Sequence, residues 1–334
     1  MEQKETMRFY VIEKLTFLYM LLTSFIIIFH NFGAYSTYHM LLRRLVITGV
    51  IMSMAYLSTL KEWKTIRFVR CIFVGILLVY WYPETFDINR NFQNYDFLLA
   101  GIEQNIFGFQ PALIFSQMYP QHWLNELMNM GYFAYYPLII CTGLYFWFKN
   151  PKYFEYFFFS VIFSFFVYYL IFDLFPVAGP QFYFSAIGVE NVKAGIFPHI
   201  GHYFSVNPEL TVKPGNSGFF LHLVETTQHV GERPTAAFPS SHVGISTLIL
   251  LLILRNKRYR IFGIIFPFYI LLVASTVYIQ AHYVIDVIAG WISAVGLFYL
   301  SRTAYKVFTP LSVEYPAGVE LQPVQVHSKE ERDE

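Results

Sequence analysis

The sequence predicts an all-α, polytopic membrane protein: a helical bundle with about eight transmembrane helices. Three observations predict it. Hydrophobic residues make up 56% of the 334 and charged residues only 13%, about half the charge a soluble domain carries. The apolar residues gather in runs, the longer of them near the roughly 17–25 residues that span a bilayer. Basic residues gather in alternate connectors between those runs, the pattern that orients membrane helices.

The elements follow in order. The opening MEQKETMRFYVIEK is too charged for a cleavable signal, so the first run, 15–32, is expected to stay as a helix. Glu13 and Lys14 ahead of it read as interfacial charges. The other runs are 45–60, 69–82, 130–147, 156–172, 243–254, 261–278 and 283–300. Those at 69–82 and 243–254 are short for a span. Lys61, Lys64, Arg67 and Arg70, then Lys149 and Lys152, then Arg255, Lys257, Arg258 and Arg260 occupy alternate connectors. That asymmetry puts both termini on the cytoplasmic side. Arg43 and Arg44 are exceptions to it. The aromatic stretch YFEYFFFSVIFSFFVYY reads as lipid-facing surface.

The chain then divides into two N-terminal helices (1–68), a membrane core (69–302) with outer segments at 83–129 and 175–238, and a tail (303–334) that reads as disordered. Amphipathic pieces of 83–129 suit the bilayer interface. A net charge of +1 gives no field that would draw nucleic acid. Cys71 and Cys141 lie in apolar runs, so neither a disulfide framework nor a metal pattern is expected.

Two polar groups interrupt this apolar background. One is Arg233, Ser240, Ser241 and His242 in ERPTAAFPSSHVGIS. The other is His282 and Asp286 in TVYIQAHYVIDVIAG, four apart and so on one helix face. The topology brings both to the same, extracytoplasmic face, although neither was used to set it. A histidine oriented by a carboxylate is a base or nucleophile, and a second histidine can protonate a leaving oxygen. Arginine offers a planar fork for phosphate, and serines at a helix start add hydroxyls and N–H groups that favour an anion. Together they suggest phosphoryl transfer through a phosphohistidine, with no metal and no other cofactor. The partners expected are a phosphorylated lipid and the bilayer. Gly290 reads as a close-packing residue, and His199, His202, His222 and His229 as loop histidines.

RPTAAFPSSH and STVYIQAHYVIDVIAG resemble the signatures of the type 2 phosphatidic acid phosphatase superfamily. LFPVAGPQFYF and YFAYYPL are similar in style to its inositol phosphorylceramide synthase-like branch. The resemblance covers roughly 96–300 and implies a six-helix phosphatase-like core to which the first two helices are an addition. It implies that His282 is the nucleophile, Asp286 its orienting partner and His242 the acid and then base. Arg233, Ser240 and Ser241 would hold the phosphate.

The sequence also departs from the superfamily's pattern. A lysine is expected where Thr226 stands and an arginine where Thr276 stands, so Thr276 and the nearby Gln280 become candidate phosphate contacts, with Lys193 or Lys213 as substitutes. The function expected is a membrane lipid phosphatase or phosphotransferase. The alternatives are a headgroup transferase of the phosphorylceramide synthase type, or a catalytically weak lipid-binding or transport protein.

Overall fold

A computed structural model describes residues 8–31, 35–60, 64–210 and 218–309. Its helices are α1 (Val11–Asn31), α2 (Tyr35–Leu60), α3 (Lys64–Asn89), α4 (Asp96–Phe107), α5 (Pro111–Met118), α6 (His122–Phe133), α7 (Tyr135–Lys149), α8 (Pro151–Leu174), α9 (Pro180–Ile187), α10 (Val189–Lys193), α11 (Tyr203–Val206), α12 (Phe219–Gly231), α13 (Ser241–Arg255), α14 (Tyr259–Tyr278) and α15 (Val284–Phe308). Among the described residues the fold is all-α, its one β-type pairing being an isolated bridge between Val177 and Ala236.

Among the described residues six helices are long and apolar enough to cross a membrane: α1, α2, α3, α8, α14 and α15. Two of the eight expected spans are not among them. The run at 130–147 is divided at Ala134 between α6 and α7, and 243–254 falls in α13. At about 1.5 Å per residue, the 15 residues of α7 or α13 reach roughly 22 Å, short of a ~30 Å hydrocarbon core. The third run also needs redrawing. α3 continues through Pro83 to Asn89, so the first outer segment starts later than 83. At the other end, α15 runs to Phe308, so the first residues of the expected tail are helical. The rest of it lies outside the described residues.

α8 is the hub, packed against α1, α3, α7, α13 and α15. This overturns the lipid-facing reading of its aromatic stretch: Tyr156, Phe157, Phe159, Ile162, Tyr168 and Phe172 are at most 1% exposed. Their polar tips explain how so aromatic a helix can sit inside. Tyr153 Oη donates to the Leu252 carbonyl at 2.8 Å, Tyr169 Oη to that of Leu78 at 3.0 Å, and Tyr168 Oη pairs with Ser293 Oγ at 2.8 Å. These three hydroxyls are met by three different neighbouring helices.

Charge is buried here too. Glu13 is not a surface charge: Arg70 on α3 holds both its oxygens, at 2.7 and 2.5 Å. Lys14 beside it is exposed. Arg44 on α2 forks onto Glu84 on α3 at 3.0 and 2.8 Å. Its exceptional position in the charge pattern is thus a helix-to-helix ion pair, since a charge out of water needs a partner.

Candidate active site

The second polar group is built from a helix end, a reversal and a helix start. α14 stops at Tyr278. Gln280 takes a positive φ of 67°, and the His282 N–H returns to the Thr276 carbonyl at 3.0 Å. The amides at the start of α15, which have no partner within the helix, are then met by carboxylates, which the helix dipole favours. Asp286 Oδ2 accepts from Tyr283 N at 2.8 Å. Glu103, reaching from α4, accepts from Val284 N at 2.6 Å and Ile285 N at 3.4 Å.

The first polar group folds against it. Thr235 and Ala237 run beside Val177: Val177 N donates to the Thr235 carbonyl at 3.2 Å, and Ala237 N to that of Val177 at 2.9 Å. Ser240 caps α13, its hydroxyl accepting from Val243 N at 3.3 Å. Ser240 N donates to the Asp286 carbonyl at 3.1 Å, which joins the start of α13 to that of α15. Gly290 permits this approach. A Cβ there would lie 2.8 Å from the Ser240 carbonyl oxygen, in agreement with the close-packing reading.

The two histidines meet as a result. His282 Nε2 lies 3.3 Å from His242 Nδ1. His282 Nδ1 faces the Ala237 carbonyl at 2.9 Å and Asp286 Oδ2 at 3.5 Å. A carbonyl only accepts, so Nδ1 carries the hydrogen and Nε2 keeps its lone pair. Burial pushes the His282 imidazole down to about 4, against the upward pull of the Glu232 carboxylate and the Ala237 carbonyl. The ring is neutral near pH 7. His242 lies against the rings of Tyr132 and Tyr135, at centroid distances of 4.7 and 4.4 Å.

A small cavity is lined by His242, His282, Arg233, Glu232, Tyr82 and neighbouring alanines. Arg233 Nη1 donates to the Glu232 carbonyl at 2.8 Å. The fold therefore brings His282, His242, Asp286 and Arg233 together, with Ser240 and Ser241 buried at the adjoining helix start. The remaining candidates sit elsewhere. Thr276 is buried with its hydroxyl on the Val273 carbonyl at 2.8 Å. Gln280 holds the turn, its carbonyl accepting from Gln181 N at 2.8 Å. Thr226 is exposed on α12 and bonds the His222 carbonyl. Lys193 is exposed beside Glu190 at 3.6 Å, and Lys213 lies outside the described residues. Of the expected loop histidines, His222 and His229 are helical, on α12. Among the described residues no group of three or more His, Cys, Asp and Glu is arranged to hold a metal ion.

Sequence reasoning missed the acids that support this site. Asp96, fully buried, accepts from Ala178 N at 2.6 Å, Gly179 N at 2.8 Å, Asn94 Nδ2 at 2.5 Å and Tyr283 Oη at 3.0 Å. It fastens the FPVAGPQ segment to the residue that follows His282. Gly179 has φ 89°, and a Cβ on it would meet the Ala281 carbonyl at 2.6 Å, so the segment and the histidine turn touch backbone to backbone. The glycine within FPVAGPQ was the available signal. Nothing in the local sequence around Asp96 or Glu103 marked them.

Residues 98–300 match the model of a family described as the PAP2 superfamily. No curated protein and no solved structure matches the chain.

Proposed function

The chain belongs to the PAP2 superfamily, and from that premise we propose that it is a membrane lipid phosphatase or phosphotransferase working through a phosphohistidine on His282. The observation that carries the reading is the 3.3 Å contact between the two imidazoles, with Asp286 behind one of them and Arg233 in the same cavity.

In the first step the Nε2 lone pair of His282 attacks phosphorus. The phosphorus–oxygen bond to the lipid alcohol breaks, and His242 delivers a proton to the departing oxygen. Asp286 and the Ala237 carbonyl hold the Nδ1 hydrogen and stabilise the charge that the ring acquires. In the second step His242 takes a proton from water or an alcohol. That oxygen attacks the phosphohistidine and frees His282. Arg233 forks onto the phosphate oxygens, and the amides of Ser241 and His242 at the start of α13 add N–H groups, as helix starts do for anions.

α7 and α13 complete eight crossings in this reading. The site then faces the extracytoplasmic side and both termini the cytoplasm, consistent with basic Arg255 at the far end of α13 from His242.

The test is a panel of lipid phosphates and diphosphates in detergent, wild type beside His282→Ala, with vanadate as inhibitor. Phosphate release abolished by the substitution is expected. Equal release by the variant, or none from any lipid by wild type, overturns the reading.

Headgroup transfer in the manner of the inositol phosphorylceramide synthase-like branch is favoured by one observation. The FPVAGPQ segment that carries the resemblance is bonded directly to the histidine turn through Asp96 and Gln181. Product analysis with labelled donor lipid separates the two: free phosphate alone means water is the acceptor.

A further inference from the structure

α4 is amphipathic the wrong way round. Leu98, Ile102 and Ile106, spaced four apart along one face, are 43%, 48% and 61% exposed. Asn105 joins that face near its end. Asp96 and Glu103, seven apart on the other face, are fully buried. A helix between protein and water carries its acids outside and its aliphatic residues inside. Here the outside is the apolar side, so water is not what this face is built to meet.

The neighbouring helices identify the occupant. α4 follows the spanning α3 after a short connector, 90–95, and packs against α15, a second spanning helix. One and two turns beyond Val284 on α15, Ile288 and Ile292 are exposed, with Trp291 between them. The apolar outside of a span thus continues onto α4, at the level of an indole ring, which favours the boundary between headgroups and acyl chains. The buried side of α4 meanwhile grips the catalytic turn. Asp96 accepts from Tyr283 Oη at 3.0 Å, and Glu103 accepts from Val284 N at 2.6 Å and Ile285 N at 3.4 Å. These are the three residues that follow His282.

We propose that the aliphatic face of α4 is seated among the acyl chains of the extracytoplasmic leaflet, and that through Asp96 and Glu103 this seat fixes the depth at which His282 meets a lipid phosphate. The second half rests on the phosphotransfer reading above. A nucleophile held too deep has to draw a charged phosphate into hydrocarbon, and one held too high has to lift acyl chains into water. The level of the turn therefore bears on a substrate embedded in the bilayer and not on one that arrives dissolved.

Fluorescent labels on single cysteines read the seat without turnover. Ile102→Cys, Ile106→Cys and, as a control on exposed α10, Glu190→Cys are made in full-length protein with Cys141→Ser and placed in phosphatidylcholine vesicles. Labels at 102 and 106 are expected to be quenched by nitroxides on the acyl chains and shielded from dissolved iodide, with the reverse at 190. Iodide reaching 102 and 106 as freely as 190 overturns the seat, and so does quenching by neither agent, which means that protein covers the face.

Kinetics read the depth. Ile102→Gln combined with Ile106→Gln is assayed in vesicles on dioleoyl phosphatidic acid, or the best substrate of the panel above, and on its dihexanoyl analogue in solution. The loss of two apolar contacts is expected to lower kcat/KM about tenfold on the embedded lipid and to leave it within about twofold on the dissolved one. Equal losses on both, or no loss on either, overturn the depth-setting role. Wild type that turns over neither lipid overturns the phosphotransfer reading instead, and the labels still decide the seat.

Discussion

His282 Nε2 lies 3.3 Å from His242 Nδ1, across forty residues of sequence. In-line phosphoryl transfer has its entering and leaving atoms on opposite sides of phosphorus, so in the proposed reaction the two rings act from opposite sides of the substrate phosphorus. Their roles then differ, and so should their variants. His282→Ala is expected to abolish both turnover and the acid-labile phosphoenzyme. His242→Ala is expected to lower kcat by about 10²–10⁴. It should still form phosphoenzyme from a substrate whose leaving group needs no proton. Rapid-quench labelling with radioactive phosphate checks both. Phosphoenzyme in His282→Ala would contradict the assignment.

Asp286→Asn separates catalysis from capping. The asparagine oxygen can still accept from Tyr283 N, so the start of α15 is kept. The stabilisation of a positively charged His282 ring is lost. A fall in kcat of about 10²-fold or more is expected, from electrostatic losses of this kind, with a melting temperature within a few degrees of wild type. Parallel thermal melts and kinetics read the two effects.

The pH response has two opposing parts. Burial lowers His282 from 6.5 to about 4. Between those values the unfolded chain binds a proton that the folded chain refuses, so this group makes stability fall as pH drops from about 6.5 towards 4. Nε2 stays free in that window, and single-turnover phosphoenzyme formation should persist to about pH 5. Glu103 has the opposite sign: burial raises it from 4.5 to about 7. The folded chain holds its proton there, and stability is lost as pH rises through that range. Glu103→Gln keeps an acceptor for Val284 N and should flatten the loss on the alkaline side. Melting temperature against pH for the two proteins decides it.

Gly290→Ala drives a methyl group toward the Ser240 carbonyl oxygen, 2.8 Å from the Cβ position. A destabilisation of about 1–3 kcal/mol is expected for such overpacking, read as a lower melting temperature in detergent. Arg44→Ala leaves Glu84 buried without its partner and is expected to cost about 3–5 kcal/mol. Arg44→Met combined with Glu84→Leu should recover most of that. Failure of the double variant to recover would mean the pair does more than join α2 to α3.

The helices and the histidine motifs were legible because each has a local signature. Apolar runs mark helices, and His282 with Asp286 shares a helix face by spacing alone. Positions that depend on distant partners were not legible. Glu13 and Arg44 look like edge charges until Arg70 and Glu84 are brought beside them. The phenylalanines of α8 look like lipid-facing surface, because an apolar side chain suits a lipid tail as well as a protein core. Asp96 and Glu103 serve residues more than 180 positions away, and no nearby pattern records that.

The junction of Ser240, Asp286 and Gly290 also decides where the site can yield. The starts of α13 and α15 are clasped backbone to backbone, and the FPVAGPQ segment is pinned to the histidine turn. The Tyr132 and Tyr135 rings, flanking the α6–α7 break at Ala134, meet His242 only through side chains. In the proposed reaction, admission of a headgroup between the imidazoles thus falls to that aromatic wall, since the turn that carries His282 is tied by backbone bonds on both sides.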